Sequence, residues 1–485
     1  MGSDKRILSD KLPGLPSLSE RGMRGEAVIA IFDVGKTNKK LFLFDQDYRI
    51  VFERSAKFLE TVDEDNDPCE NIESLKQSMT EALTEVFADE RFDIKAINFT
   101  TYGASFVYLN EDGKELTPLY NYLKPYPPEL KQQFYKTYGG EDAFSLSSAS
   151  PILESLNSGM QLYRLKYKNP AAFAKTKYAL HLPQYISFQI SRKACSDLTS
   201  IGCHTNLWNF AKDEYQDWVQ QEGVMEKLPE IIPSDTVLPA VFDGHEIVTG
   251  IGLHDSSAAL IPYLLSFKEP FALISTGTWC ITLNPFNDQL LTPEELKQDC
   301  LCFLSFQGKP VKASRLFSGY IHEQESKRIA THFKKDSLPY KSIKFDEKIV
   351  AKLQAKPAIE FEIVANEPEA SIFASRDLNE FKNYKEAYHQ LILDLVKMQV
   401  RSTNLVLKNT RVKRIFVDGG FSKNSIFMNL LASAFPELEV YAASVAQATA
   451  LGAALAIHDH WNTASFPSDI IELKHYTANR SLAAV

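Results

Sequence analysis

Four short stretches of the chain hold the residue types that phosphoryl transfer demands. In DVGKTNKK, Asp33 ends an apolar run and is followed by Gly35, Lys36, Thr37, Asn38, Lys39 and Lys40. A carboxylate there suits Mg²⁺, a hydroxyl and an amide suit phosphate oxygens, and a lysine, Lys40 ahead of the other two, offsets negative charge. In LHDSSAAL, Asp255 follows the glycine-punctuated run IVTGIGLHD, and a carboxylate so delivered can align an alcohol and accept its proton. Ser275-Thr276-Gly277-Thr278 offers neutral donors. Gly419-Gly420 joins the strand RIFVD to a helix start near Ser422-Lys423-Asn424, where unpaired N–H groups attract anions. Each stretch also has a plain structural reading: an Asp closing its own turn, a helix cap at Asp255, a hairpin tip, a strand-to-helix turn, solvated lysines. His254 reads as structural. The order of all four together argues for chemistry.

The segments that must position these residues repeat. Val28 to Phe44 and Phe271 to Leu283 each run from apolar strand through glycine turn to apolar strand, aligning Gly35 with Gly277, Asp33 with Ser275 and Thr37 with Trp279. The turn recurs and the carboxylate does not, so one copy suits a metal and the other only neutral donors. After the first hairpin, Arg49 to Ala56 extends a meander, Ile72 to Phe87 has helical spacing and Ile94 to Phe99 is a buried strand. Tyr384 to Leu407 reads as a long amphipathic helix, and ATALGAALAI as a helix whose small residues admit a close neighbour. This alternation predicts an α/β fold.

From about Thr101 to Leu238 the pattern changes to aromatics and Tyr-Pro clusters. Gly35 and Ser257 lie 222 residues apart, Gly277 and Thr449 only 172, so the surplus of a duplicated chain falls in this middle part. Insertions over a shared cleft commonly carry recognition. Within it Tyr102, Ser105, Tyr122 and His204 are candidates for covering sugar faces and binding hydroxyls, with a core role as the alternative for each ring.

A chain of 485 residues exceeds the size of one core and is expected to form two domains, with ligands between them. A net charge of −9 excludes a general nucleic-acid surface. The six cysteines show no CxxC pair, which fits reduced thiols and a cytoplasmic location. No apolar run is long enough to cross a membrane, and residues 1–25 read as a flexible tail without a signal peptide.

DVGKTNKK, LHDSSAAL, ISTGTWCITL, VDGGFSKN and ATALGAAL, in this order, resemble the FGGY carbohydrate kinases over about residues 26 to 460. The resemblance implies two actin-like, ribonuclease-H-like domains, 26–262 and 263–485, with an interdomain cleft. It also implies transfer of the ATP γ-phosphoryl group to a sugar hydroxyl with Mg²⁺. On it, Asp255 matches the catalytic base that also holds sugar and metal, and Asp33 matches the second metal residue. Gly35, Thr37, Asn38 and Lys40 match the first phosphate loop, Thr276, Gly277 and Thr278 the second, and Gly419, Gly420 and Asn424 the adenosine pocket. Lys40 replaces a frequent Arg and loses its planar fork. TTYGASFVYLNEDGKEL is similar to the rhamnulokinase and L-fuculokinase branch, which points to a ketose or deoxyketose. Ser105, however, stands where that branch has an Asp, and its Arg after the Tyr122 region is missing. Another pentulose, hexulose or polyol, a non-catalytic sugar or nucleotide sensor, and an actin-like chaperone or filament ATPase remain the alternatives. A homodimer is left open.

Overall fold

The computed structural model describes residues 25–36, 38–56, 60–335, 339–357, 359, 361 and 369–479. Thr37, and the expected tail apart from Gly25, lie outside them.

Two sheets of seven strands form the frame. The first contains β1 (Glu26–Val34), β2 (Lys39–Phe44), β3 (Ile50–Ala56), β4 (Phe92–Thr101), β5 (Val237–Phe242), β6 (His245–Gly250) and β7 (Leu253–His254). The second contains β8 (Phe271–Thr276), β9 (Cys280–Asn284), β10 (Cys300–Leu304), β11 (Pro310–Leu316), β12 (Arg414–Gly419), β13 (Glu439–Ser444) and β14 (Glu472–Tyr476). Reading across, β3-β2-β1-β4-β6-β5 corresponds to β11-β9-β8-β12-β13-β14. The pairing directions agree at every step: two antiparallel, two parallel, then one antiparallel. Duplication read from two hairpins therefore extends through six strands of each sheet. The first hairpin turn is one residue longer, since Val34 pairs with Lys39 and Thr276 with Cys280.

Between the sheets lie α2 (Asp255–Ser266) and α6 (Ala448–Ala456). They touch through small residues: a Cβ on Gly452 would sit 1.8 Å from the Ala258 carbonyl oxygen. One core draws Ile29, Ile31 and Phe42 from the first sheet, Leu273, Leu283 and Phe416 from the second, and Ala258, Ala450 and Ala454 from the helices. The close approach expected of ATALGAALAI is thus the junction of the two halves.

α1 (Ile72–Phe87) has the predicted bounds, with Asn71 capping Ser74 N–H and Leu75, Met79, Leu83 and Val86 turned inward. α4 (Tyr384–Leu407) also keeps its bounds but is buried almost all round, unlike the amphipathic helix expected. α3 (Ser318–His332), α5 (Ser425–Ala434) and the second sheet surround it, and several of its inward polar groups are bonded, as Asp394 is by Arg376 at 2.5 and 2.8 Å.

Most aromatics of the middle part build their own core. Phe134 is fully buried, with the Tyr135, Phe144, Tyr163 and Trp218 rings edge-on to it at 5.0–5.2 Å. Truncating such a ring costs about 3–5 kcal/mol.

Candidate active site

β1 runs parallel to β4 and β8 parallel to β12, and an open parallel arrangement places ligands beyond the carboxyl ends of such strands. Asp33 sits at the end of β1, paired across the hairpin with Lys40 and alongside Thr100. One of its oxygens accepts the Thr449 hydroxyl of α6 at 2.7 Å, a bond from the second half to the first. Burial pushes the Asp33 carboxyl up to about 6; the Thr449 bond and Lys40 oppose this, and the charge of Asp255 adds to it.

Asp255 is the first residue of α2, and His254 occupies the cap position proposed for it. The chain reaches it through a break between β6 and β7, where Gly252 takes φ +83° and passes 2.6 Å from the Pro183 carbonyl as measured from an added Cβ. The Asp255 carboxylate accepts Ser256 N–H at 2.6 Å and keeps 32% of its side chain exposed. Burial raises it to about 6, against the Ser256 hydrogen bonds. The Asp255 charge reaches Asp33, and two carboxylates so placed favour a cation beside them.

Tyr102 and Tyr122 meet edge to face at 5.7 Å, and Lys36 Nζ lies 5.7 and 5.6 Å from their rings. Lys36 and the buried Lys39 both reach Glu70, at 3.3 and 3.0 Å, at the end of a hairpin formed by Glu60–Val62 and Pro68–Glu70. The phenol of Tyr122 is raised by burial, then by the charges of Asp255 and Glu70. Ser105 is buried beside Tyr102, and its hydroxyl opposes the rise that burial imposes on the Tyr102 phenol. His204 Nδ1 donates to the Leu156 carbonyl, 3.2 Å away, and the residue has a left-handed backbone of φ 38°.

Several predicted phosphate and adenosine groups are already engaged. Gly35 N–H bonds Asn38 O at 2.9 Å and Gly277 N–H bonds Trp279 O at 2.9 Å, so both amides close their own turns. Thr276 is buried, its hydroxyl giving to Asp418 O at 2.5 Å and taking Phe421 N–H at 3.0 Å. Gly419 allows this contact, with φ +86° and an added Cβ 2.0 Å from Thr276 O. Asn424 caps α5 through Ile426 and Phe427 N–H and donates to the Tyr388 hydroxyl. Asn38, Thr278, Gly419 and Gly420 are exposed. Lys40 pairs with Glu53 at 2.8 Å.

Sequence reasoning missed Glu70, Thr449 as a ligand of Asp33, Asp418 and Arg315. Only Asp418, inside VDGG, carried a local signal. Arg315 on β11 bonds Asp299 at 2.7 Å and lies 5.1 Å from the Trp279 ring. Its charge reaches His204, so the second half supplies a guanidinium to this wall.

Among known proteins, residues 28–261 match the model of the FGGY family of carbohydrate kinases, N-terminal domain. Residues 268–465 match that of the carbohydrate kinase FGGY, C-terminal domain. A rhamnulokinase of Oceanobacillus iheyensis is 21% identical over 240 residues, 45% of this chain. The match spans 47% of that relative, about half its length. A carbohydrate kinase from Novosphingobium aromaticivorans aligns with TM-score 0.75 and 22% identity, covering 93% of this chain and 96% of the other. Ligand-bound xylulose kinase from Lactobacillus acidophilus aligns with TM-score 0.75 and 17% identity, covering 94% and 95%. Plasmodium falciparum glycerol kinase with ADP aligns with TM-score 0.70 and 14% identity, covering 94% and 95%. These likenesses show the two-domain actin-like fold. No helix among the described residues is long and apolar enough to cross a membrane.

Proposed function

Because the chain belongs to the FGGY family of carbohydrate kinases, we propose that it transfers the γ-phosphoryl group of ATP to a sugar hydroxyl, with Asp255 as general base. The observation that carries this reading is the Asp255 carboxylate, which begins α2 in the gap and lies near enough to Asp33 to raise it. A base titrating near 6 holds a proton better than an ordinary carboxylate and is still ionised at neutral pH.

In the proposed reaction the sugar oxygen forms a bond to the γ-phosphorus while the bond to the bridging β–γ oxygen breaks. The hydroxyl proton passes to Asp255, and ADP leaves with the released electron pair. Asp33 and Asp255 offer the hard carboxylate oxygens that fit Mg²⁺, which when bound neutralises phosphate charge. Thr449 holds Asp33 in place, while Tyr102 and Tyr122 form an apolar wall beside the base. Thr276 shapes the second loop, leaving Thr278 and the exposed glycines nearer the phosphates.

We place the domain boundary at 262/263 and the reaction in the cytoplasm. A ketose or deoxyketose is the favoured acceptor, supported by the rhamnulokinase relative. The test is ADP formation over ketoses, aldoses and polyols. A sugar-dependent signal that falls about 10²- to 10⁴-fold in Asp255→Asn is expected. Absence of any sugar response, or a variant close to wild type, would refute the assignment.

A further inference from the structure

Beside Asp255 lie Cys203 and His254, which the proposed phosphoryl transfer does not use, and His204, offered from the sequence only as a sugar contact. Cys203, His204 and His254 each present one ligand atom, all within 4.8 Å of one another. Cys203 Sγ is 3.2 Å from His254 Nε2, and Asp255 Oδ1 is 3.3 Å from that same nitrogen. Tetrahedral Zn²⁺ with ordinary bond lengths sets its sulfur–nitrogen edge at about 3.6 Å and its nitrogen–oxygen edge at about 3.4 Å. The ligand atoms therefore need only small movements to enclose the ion.

We propose that Cys203, His204 and His254 form a binding site for Zn²⁺ or a similar thiophilic cation, with Asp255 closing the fourth position. His204 already has Nδ1 on the Leu156 carbonyl, an arrangement that orients a ligating imidazole and leaves Nε2 free. His254 Nδ1 has no partner among the described residues, so this ring is held through the nitrogen facing the thiol and the carboxylate. Gly103 makes the room, since a Cβ there would fall 2.6 Å from the His254 ring. Phe303 lies parallel to that ring at 6.0 Å and shields it. Arg315 is the nearby positive charge, and Asp299 pairs with it. The other acidic cluster, Asp63, Asp65 and Asp67, already encloses the Lys124 ammonium at 2.6–2.8 Å.

Binding exchanges the thiol proton of Cys203 for the metal and releases it to solvent. Occupancy also engages Asp255, so the metal and a sugar hydroxyl compete. That inhibitory consequence rests on the proposed function, whereas the site itself does not. Titrating the metal-free full-length protein with Co²⁺ tests the site directly. The expected result is one equivalent bound with a near-ultraviolet thiolate-to-metal band, displaced by Zn²⁺. Cys203→Ser should lose the band and bind more weakly, while Cys302→Ser keeps both. X-ray absorption on the wild-type zinc protein should find one sulfur at about 2.3 Å, whether or not the variant folds. A spectrum without sulfur ligation, or a band that survives in Cys203→Ser, overturns the proposal. In the kinase assay Zn²⁺ should inhibit wild type, reversibly by chelator, and spare Cys203→Ser. Metal bound with sulfur but without inhibition overturns the competition alone.

Discussion

Asp33 combines burial with the like charge of Asp255, a combination that folding alone would not favour. For Asp33 the sign of the pH effect is fixed by its carboxyl rising from 3.8 to about 6 on folding. Below the unfolded value the group is neutral in both states and contributes nothing. Between the two values the unfolded chain ionises first, so stability falls as pH rises, and the loss is complete above about 6. Asp33→Asn keeps an oxygen for the Thr449 hydroxyl and removes this cost. The variant should melt higher than wild type at about pH 8 and lose that advantage near pH 4, while sugar phosphorylation collapses. Calorimetry at the two pH values is the check, and an equal difference at both would mean that the Asp33 charge is not the source.

At the scale of elements, the bounds of α1 and α4 and the two hairpins were legible because periodicity and turn residues act within a few positions. The burial of α4 was not, since its polar residues are satisfied by partners far away in the chain, as Ser402 is by Ser314. Likewise nothing in STGT reveals that the Thr276 hydroxyl is committed to Asp418 and Phe421, or that PCEN delivers Glu70 to Lys36 and Lys39. Asp255 was legible as a carboxylate after a strand, but its place one residue inside α2 depends on the break at Gly252. The small residues of α6 were legible as a close contact, though not as the junction of the halves. There Gly452 has a definite test. Its Cβ would overlap the Ala258 carbonyl, part of a rigid helix that starts at Asp255, so the two helices must separate. Gly452→Ala should cost about 1–3 kcal/mol in denaturant unfolding and reduce turnover by displacing the base. Wild-type stability would show that the contact yields easily.

For the whole molecule, what joins the halves decides how the site assembles. Asn98 Nδ2 donates to the Ala453 carbonyl at 2.8 Å, Tyr48 meets His458 at 2.5 Å, and Thr449 donates to Asp33 at 2.7 Å. Only the last bond ends on a group proposed for chemistry, so relative movement of the halves reaches the charge state of Asp33 through it. Thr449→Val removes the donor at nearly constant volume. Because that hydrogen bond holds the Asp33 carboxyl down, its loss should raise the carboxyl further above about 6 and move the acid limb of the kcat/KM profile to higher pH. Turnover near pH 8 should remain close to wild type while activity near pH 6 falls severalfold, and Thr449→Ser should restore the original limb. A merely structural threonine would lower activity by the same factor at every pH, which is the result that separates a link to Asp33 from simple packing.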